Sequence, residues 1–184
     1  MRDLVVTENI TVDGVIEATE GWFTVGNDAL AEQADINAEL MAHTAACDAV
    51  LFGRRTFEDM RGYWPRQDDD RSGITDDLNT IRKYVVSRTL TDPAWHNSVV
   101  LRGLDEVAAV KREPGKDIVC TGSIELVHQL IAAGLVDEYR LFVYPVVLGR
   151  GARLFGEGAR LPRLRLAESK RFRSGVVLLR YRPS

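Results

Sequence analysis

Apolar residues along the chain fall into two alternating patterns. Runs of strand length recur at 4–10, 49–52, 83–87, 97–101, 117–121 and 136–143, bounded by glycine, proline, aspartate or asparagine. Between them apolar residues return every three or four positions, the spacing of one helix face. Ile36, Leu40, His43 and Cys47 make one such stripe, Leu104, Val107, Ala108 and Lys111 a second, and Ile124, Val127, His128 and Ile131 a third. These predict helices over 29–46, 103–112 and 123–133, with a further helix over 54–61 stopped at Gly62. Asn27 or Asp28 can cap the first. Segments 164–172 and 176–181 pair as a hairpin across Arg173, Ser174 and Gly175. Residues 66–76, with three consecutive aspartates, read as an acidic loop; no histidine accompanies the run, so a solvated face is favoured over a metal site. The alternation implies one α/β domain over 1–184: a mixed, mainly parallel sheet flanked by helices, with a C-terminal antiparallel hairpin.

Composition narrows the function. The 184 residues carry 24 basic and 27 acidic side chains, a net charge of −3, with no basic tail, which argues against wrapping nucleic acid. No apolar stretch approaches the ~20 residues needed to span a bilayer, and Asp3 interrupts any signal-peptide core. Cys47 and Cys120, both in apolar surroundings, read as buried free thiols. A cytoplasmic protein with no membrane partner is expected.

The chemistry concentrates where strands meet helices across a glycine. Gly53 is followed by Arg54, Arg55 and Thr56; Thr121, Gly122, Ser123 and Ile124 repeat the arrangement with small hydroxyl residues. In parallel sheets such junctions lie at the strand carboxyl ends, where unpaired helix amides, hydroxyls and planar guanidinium groups can hold phosphates. Ser87 and Arg88 offer a third polar, basic junction. None is a GxxxxGK[ST] or GxGxxG loop, and ordinary turns with a solvent-facing arginine pair remain the alternative for each. Three together suit a ligand with separated phosphates.

These junctions, with Thr11-Val12-Asp13-Gly14, Lys83-Tyr84-Val85-Val86-Ser87, Val136-Asp137-Glu138 and Pro145-Val146-Val147-Leu148-Gly149-Arg150-Gly151, make the chain resemble the dihydrofolate-reductase-like superfamily over nearly its whole length. The closer resemblance is to the reductase domain of bacterial bifunctional riboflavin-biosynthesis deaminase/reductases and its standalone relatives. It implies a three-layer dihydrofolate-reductase-like fold, NADPH as cofactor, and hydride transfer to a small heterocyclic or carbonyl substrate, related to the 5-amino-6-(5-phosphoribosylamino)uracil reductase reaction. By that resemblance Arg54, Arg55 and Thr56 hold phosphates, Arg54 or Arg88 meets the ribose 2′-phosphate beside Ser87, and Thr121, Gly122, Ser123 and Ile124 line the pyrophosphate and nicotinamide ribose. Asp13 and Gly14 begin the loop that covers the nicotinamide. The resemblance also implies a homodimer; Phe142, Val146, Val147, Leu148 and Phe155 either face the partner or complete the chain's own core. The alternative is a non-catalytic nucleotide or small-molecule binder that keeps the scaffold.

The substrate side departs from folate reductases. The position matching their helix carboxylate falls near Asn37, and Asp35, two residues away, does not share its face. Folate reduction is therefore not expected, and the deaminase zinc elements are absent. A substrate pocket is expected between the first strand, Trp22 and Phe23, and a helix face carrying Asn37 and Met41, with Glu17 and Glu20 as an acidic pair nearby. Asp13 reads as an organiser of its turn rather than a proton donor, and His43, His96 and His128 are scattered without ligand spacing.

Overall fold

The structure, a computed structural model, describes residues 1–19, 21–23, 33–156 and 163–184. The capping candidates Asn27 and Asp28, the first positions of the helix predicted over 29–46, and Glu20 lie outside the described residues. Eight strands form one sheet: β1 (Leu4–Thr11), β2 (Cys47–Gly53), β3 (Arg82–Val86), β4 (Ser98–Leu101), β5 (Asp117–Cys120), β6 (Glu138–Tyr144), β7 (Leu164–Arg171) and β8 (Val177–Pro183). Their order is β4-β3-β2-β5-β1-β6-β8-β7. The first six strands of that order run parallel, so their carboxyl ends share one edge, and β8 and β7 add an antiparallel pair beside β6.

The helices α1 (Ala34–Ala45), α2 (Arg54–Tyr63), α3 (Ile74–Thr80), α4 (Leu104–Arg112) and α5 (Ile124–Ala132) cover the sheet. Alternation along β1 sends Leu4, Val6 and Ile10 to the face of α4 and α5, where Val107, Leu126, Val127 and Leu130 complete the main core. The other face holds two clusters. Phe57 of α2 packs with Val50, Phe52, Val85 and Trp95; Ile36 of α1 packs with Phe142, Tyr144, Phe172 and Leu178. The hairpin turns where predicted, with the Phe172 amide donating to Val176 O at 2.9 Å.

Two expectations change, and one open alternative is decided. The acidic loop ends in a helix, α3, whose sequence ITDDLNT has no helix stripe of its own. It forms because Leu78 packs onto the Phe57 cluster and because buried Lys83 donates from Nζ to Leu78 O at 2.5 Å and Ile81 O at 2.9 Å. Burial pushes the Lys83 ammonium down to about 8. The α1 stripe is not a buried face: Ile36 is 2% exposed, Leu40 is 37% exposed, and Cys47 begins β2. Finally, Phe142 is 1% exposed and Phe155 packs edge-on to Tyr139, so both complete the chain's own core; Val147, 68% exposed, remains on the surface.

One electrostatic knot ties the hairpin to the parallel sheet. Glu138, fully buried, accepts Arg140 Nε at 2.7 Å and Arg180 Nε at 2.9 Å on Oε1, and Arg182 Nε at 3.0 Å on Oε2. Arg182 goes on to Asp3 and Arg180 to Glu168. Burial would raise the Glu138 carboxyl, but the hydrogen bonds and charges of Arg140 and Arg180 outweigh it and hold the group below its ordinary value.

Candidate functional site

β2 and β5 are neighbours, so the helices that follow them start side by side. Gly53 passes straight into α2, and its amide donates to Ser123 Oγ at 3.0 Å; the Ser123 amide donates to Thr56 Oγ1 at 3.1 Å. The two glycine junctions are thus joined to each other. Gly122 and Ser123 both have positive φ, +58° and +54°, and a Cβ on Gly122 would stand 3.3 Å from Thr56 Cγ2. A serine held in the left-handed region costs about 1–2 kcal/mol, a strain that marks functional turns. Neither α2 nor α5 has a side-chain N-cap hydrogen bond, so both present first-turn amides and positive dipole ends at one edge of the sheet. Thr56 accepts the Ser123 amide and keeps its own hydroxyl proton to donate.

Basic groups rim this cradle. Arg54 is half exposed and pairs with Glu58 at 2.8 Å, while Arg55 and Arg88 are exposed at the ends of the neighbouring strands. The Ser87 hydroxyl is committed to its own turn, accepting the Thr89 and Leu90 amides at 3.2 and 2.9 Å. The sequence reading missed Arg102, which braces that turn by donating from Nη1 to Ser87 O at 3.0 Å and Leu90 O at 2.8 Å. Ile124 opens α5 and packs half-buried against the main core.

Glu8 is the second residue missed. It occupies an inward position of β1, is 4% exposed, and accepts a hydrogen bond from the Gly122 amide. Burial raises its carboxyl well above the ordinary value against the opposing effect of that bond. Its Oε1 has no partner among the described residues. The signal was legible: an acidic residue sits in register with Leu4, Val6 and Ile10, where every other side chain is apolar.

On the neighbouring strand end, Asp13 organises two loops. Its carboxylate accepts Thr11 Oγ1 at 2.7 Å, the Gly149 amide at 2.8 Å and the Leu148 amide at 3.3 Å. The Thr11 hydroxyl bond and then the Gly149 amide bring it down to about 2, so it stays ionised and is no proton donor. Gly14, at φ +86°, returns the chain and accepts the Leu154 amide at 3.0 Å. Trp22 and Phe23 pack against Tyr144 with ring centroids 5.4 and 6.1 Å away, and Trp22 Nε1 donates to Glu17 O.

Asn37 and Met41, expected to face one substrate pocket, lie one turn apart on α1. α1 runs from the carboxyl edge of the sheet towards the amino edge, so Asn37 lies in its first half while Met41, 63% exposed, lines a cleft at the amino edge with Arg2, Asp48 and Lys116. That cleft, about 750 Å³, faces helix carboxyl ends and is poorly placed for an anionic cofactor. Asp35 accepts the Arg173 amide at 2.9 Å and is lowered first by that bond, which ties it to the hairpin turn. A smaller crevice, about 180 Å³, runs between α1, α3 and the sheet; Thr7, Leu40, His43, Val119 and Thr121 line it. Thr121 connects it to the cradle.

Residues 2–178 match the family model of the RibD C-terminal domain. Two curated proteins of Bacillus subtilis (strain 168) are similar. The uncharacterized protein YyaP is 30% identical over 98% of this chain and 94% of its own length, and the uncharacterized protein YwjB is 30% identical over 71% of each. Among solved structures, a "Putative riboflavin biosynthesis protein" from Shewanella sp. PV-4 superposes with a TM-score of 0.73 at 18% identity, covering 99% of both chains. A pyrimidine reductase-like protein from Corynebacterium diphtheriae gives 0.66 at 14% identity, over 99% of this chain and 92% of that one. The joined glycine junctions, the strand order and the whole-chain match converge: this chain belongs to the RibD C-terminal domain family, a reductase-like family.

Proposed function

We propose that the protein is an NADPH-dependent reductase of a small heterocyclic or carbonyl compound. The observation that carries this reading is the pair of adjacent, side-chain-uncapped helix starts, locked by the bond from the Gly53 amide to Ser123 Oγ and rimmed by arginines. That arrangement suits a dinucleotide pyrophosphate, and the absence of a Cβ on Gly122 lets Thr56 of α2 pack closely against the turn. NADPH, when bound, supplies the hydride. Arg54, Arg55 and Thr56 would then hold phosphate oxygens, Arg88 would favour a 2′-phosphate over a hydroxyl, and Asp13 with Trp22 and Phe23 would keep the covering loop in place and exclude water.

The 180 Å³ crevice is the place for the acceptor. Its size falls below the ~300–1,000 Å³ typical of ligand pockets, which favours a single small ring over the phosphoribosylated uracil of riboflavin synthesis. A second reading, a binder without turnover, draws on Asp13 being fully ionised. We further propose a homodimer: β7 is a sheet edge whose side chains are mostly exposed, and exposed edges of this kind pair readily.

Fluorescence titration tests the cofactor. NADPH should bind tighter than NADH, and Arg88→Ala should weaken NADPH by about 1.5 kcal/mol, roughly tenfold, while leaving NADH unchanged. Equal affinities for the two cofactors would overturn the assignment of Arg88. Oxidation of bound NADPH by cyclic carbonyl compounds separates reductase from binder, and sedimentation at micromolar concentration decides the dimer.

A further inference from the structure

Buried polar groups in folded proteins are almost always hydrogen-bonded, so those that are not single out places built for something else. Six buried side-chain atoms lack a partner among the described residues, and four of them belong to Thr7, His43 and Arg140. Thr7 on β1 and Arg140 on β6 are cross-strand partners, so both project to the α1 face of the sheet. His43 hangs over them from α1, its ring 6.2 Å from that of Phe142. Thr7 and His43 line the 180 Å³ crevice.

The Arg140 guanidinium is 3% exposed and reaches along the same face, from Glu138 at its Nε to Asp117 at Nη2, 3.2 Å away. Its Nη1 remains without an acceptor among the described residues. His43 Nε2 comes within 3.0 Å of Glu39 Oε1, yet neither ring nitrogen makes a hydrogen bond. Burial first, and the Arg140 charge second, push the His43 imidazole down, so it is neutral near pH 7 and offers one donor and one acceptor. The unsatisfied Thr7 and His43 groups thus line one crevice whose other lining is largely apolar, and Arg140 stands beside Thr7 on the next strand.

From this convergence we infer that Thr7 and His43 form a recognition subsite for the carbonyl oxygen of a small neutral ring such as a lactam, with the Arg140 guanidinium beside them. Charge decides against an anion. Asp77 lines the crevice, Glu39 stands beside His43, and Arg140 already faces the carboxylates of Glu138 and Asp117, so a further carboxylate or a phosphate would meet repulsion without an unpaired cation to offset it. Size agrees, since an apolar cavity of about 150 Å³ holds one benzene ring. The inference rests on the reductase reading only in naming this carbonyl compound as the hydride acceptor.

The test uses the ¹⁵N-labelled full chain and three probes of similar size: 2-pyridone, benzoate and toluene. 2-Pyridone should shift the amides of Thr7, His43 and Thr121 with a Kd of order 1 mM, and benzoate and toluene should bind at least about tenfold more weakly. Thr7→Val and His43→Leu should each weaken 2-pyridone about three- to tenfold. Because each removes an unpaired group, neither should lower the melting temperature, whereas a merely structural hydroxyl or imidazole would do so on removal. Benzoate or toluene binding as tightly as 2-pyridone would overturn the subsite, as would 2-pyridone shifts confined elsewhere or unaltered affinity in both variants. NADPH titration of the same samples separates the two ideas: loss of NADPH binding with 2-pyridone retained sinks the reductase reading alone, and the converse sinks the subsite alone.

Discussion

Two buried glutamates on adjacent strands show how the same side chain serves opposite ends. Glu138 is ringed by Arg140, Arg180 and Arg182, which hold its carboxyl below the ordinary value; Glu8 receives a single backbone amide, and burial raises its carboxyl well above that value. The first is a structural clamp whose every partner comes from the strands it holds together. The second is under-satisfied for its burial and touches the strained turn that completes the cradle. The fully satisfied carboxylate holds the fold together, and the under-satisfied one stands where a ligand is proposed to bind.

The largest effect should come from breaking the clamp. Glu138→Ala leaves three arginines around a buried hole, and removing one partner of a buried ion pair costs about 3–5 kcal/mol, so chemical denaturation should reveal a deep loss of stability. If the loss were under about 1 kcal/mol, the contrast drawn above would fail. Glu8→Ala should cost less, about 1–3 kcal/mol, since it unpairs the Gly122 amide. It should also weaken NADPH, whereas Glu138 variants that still fold should bind it normally. Gly122→Ala comes next: a left-handed φ and a 3.3 Å approach to Thr56 predict about 1–2 kcal/mol lost, with cofactor binding falling more than stability.

The smallest effect is the most diagnostic. The folded Glu8 carboxyl lies above its ordinary 4.5, so the stability it contributes is complete below that value and is lost as pH rises through the raised folded value. The folded Glu138 carboxyl lies below 4.5, so its contribution is present above that value and disappears as pH falls through the lowered one. Glu8→Gln keeps an acceptor for Gly122 and cannot ionise. Its melting temperature should match the parent below pH 4.5 and exceed it increasingly as pH rises above that value. A difference that does not change with pH would show that burial does not raise the Glu8 carboxyl.

Most strands and four of the helices were legible because strand runs and helix stripes are local patterns. α3 was not, because its stability resides in Lys83 and Leu78 contacts made after folding rather than in its own polar sequence. α1 misled in the other direction: a stripe at helix spacing suggested burial, but His43 and Leu40 stand over a crevice. The glycine junctions were visible as motifs, while their direct contact was not, since Gly53 and Ser123 are 70 positions apart. Thr7, His43 and Arg140 carry no sequence signal at all. They are ordinary residues on β1, α1 and β6 that only strand register brings together.

The bond between Gly53 and Ser123 also has a kinetic meaning. β5 inserts between β1 and β2, so the centre of the sheet cannot close until more than half of the chain is available. Contacts of such long sequence separation form slowly. The cradle should therefore be among the later parts to mature, and regained cofactor affinity would time the docking of β5 rather than the initial collapse.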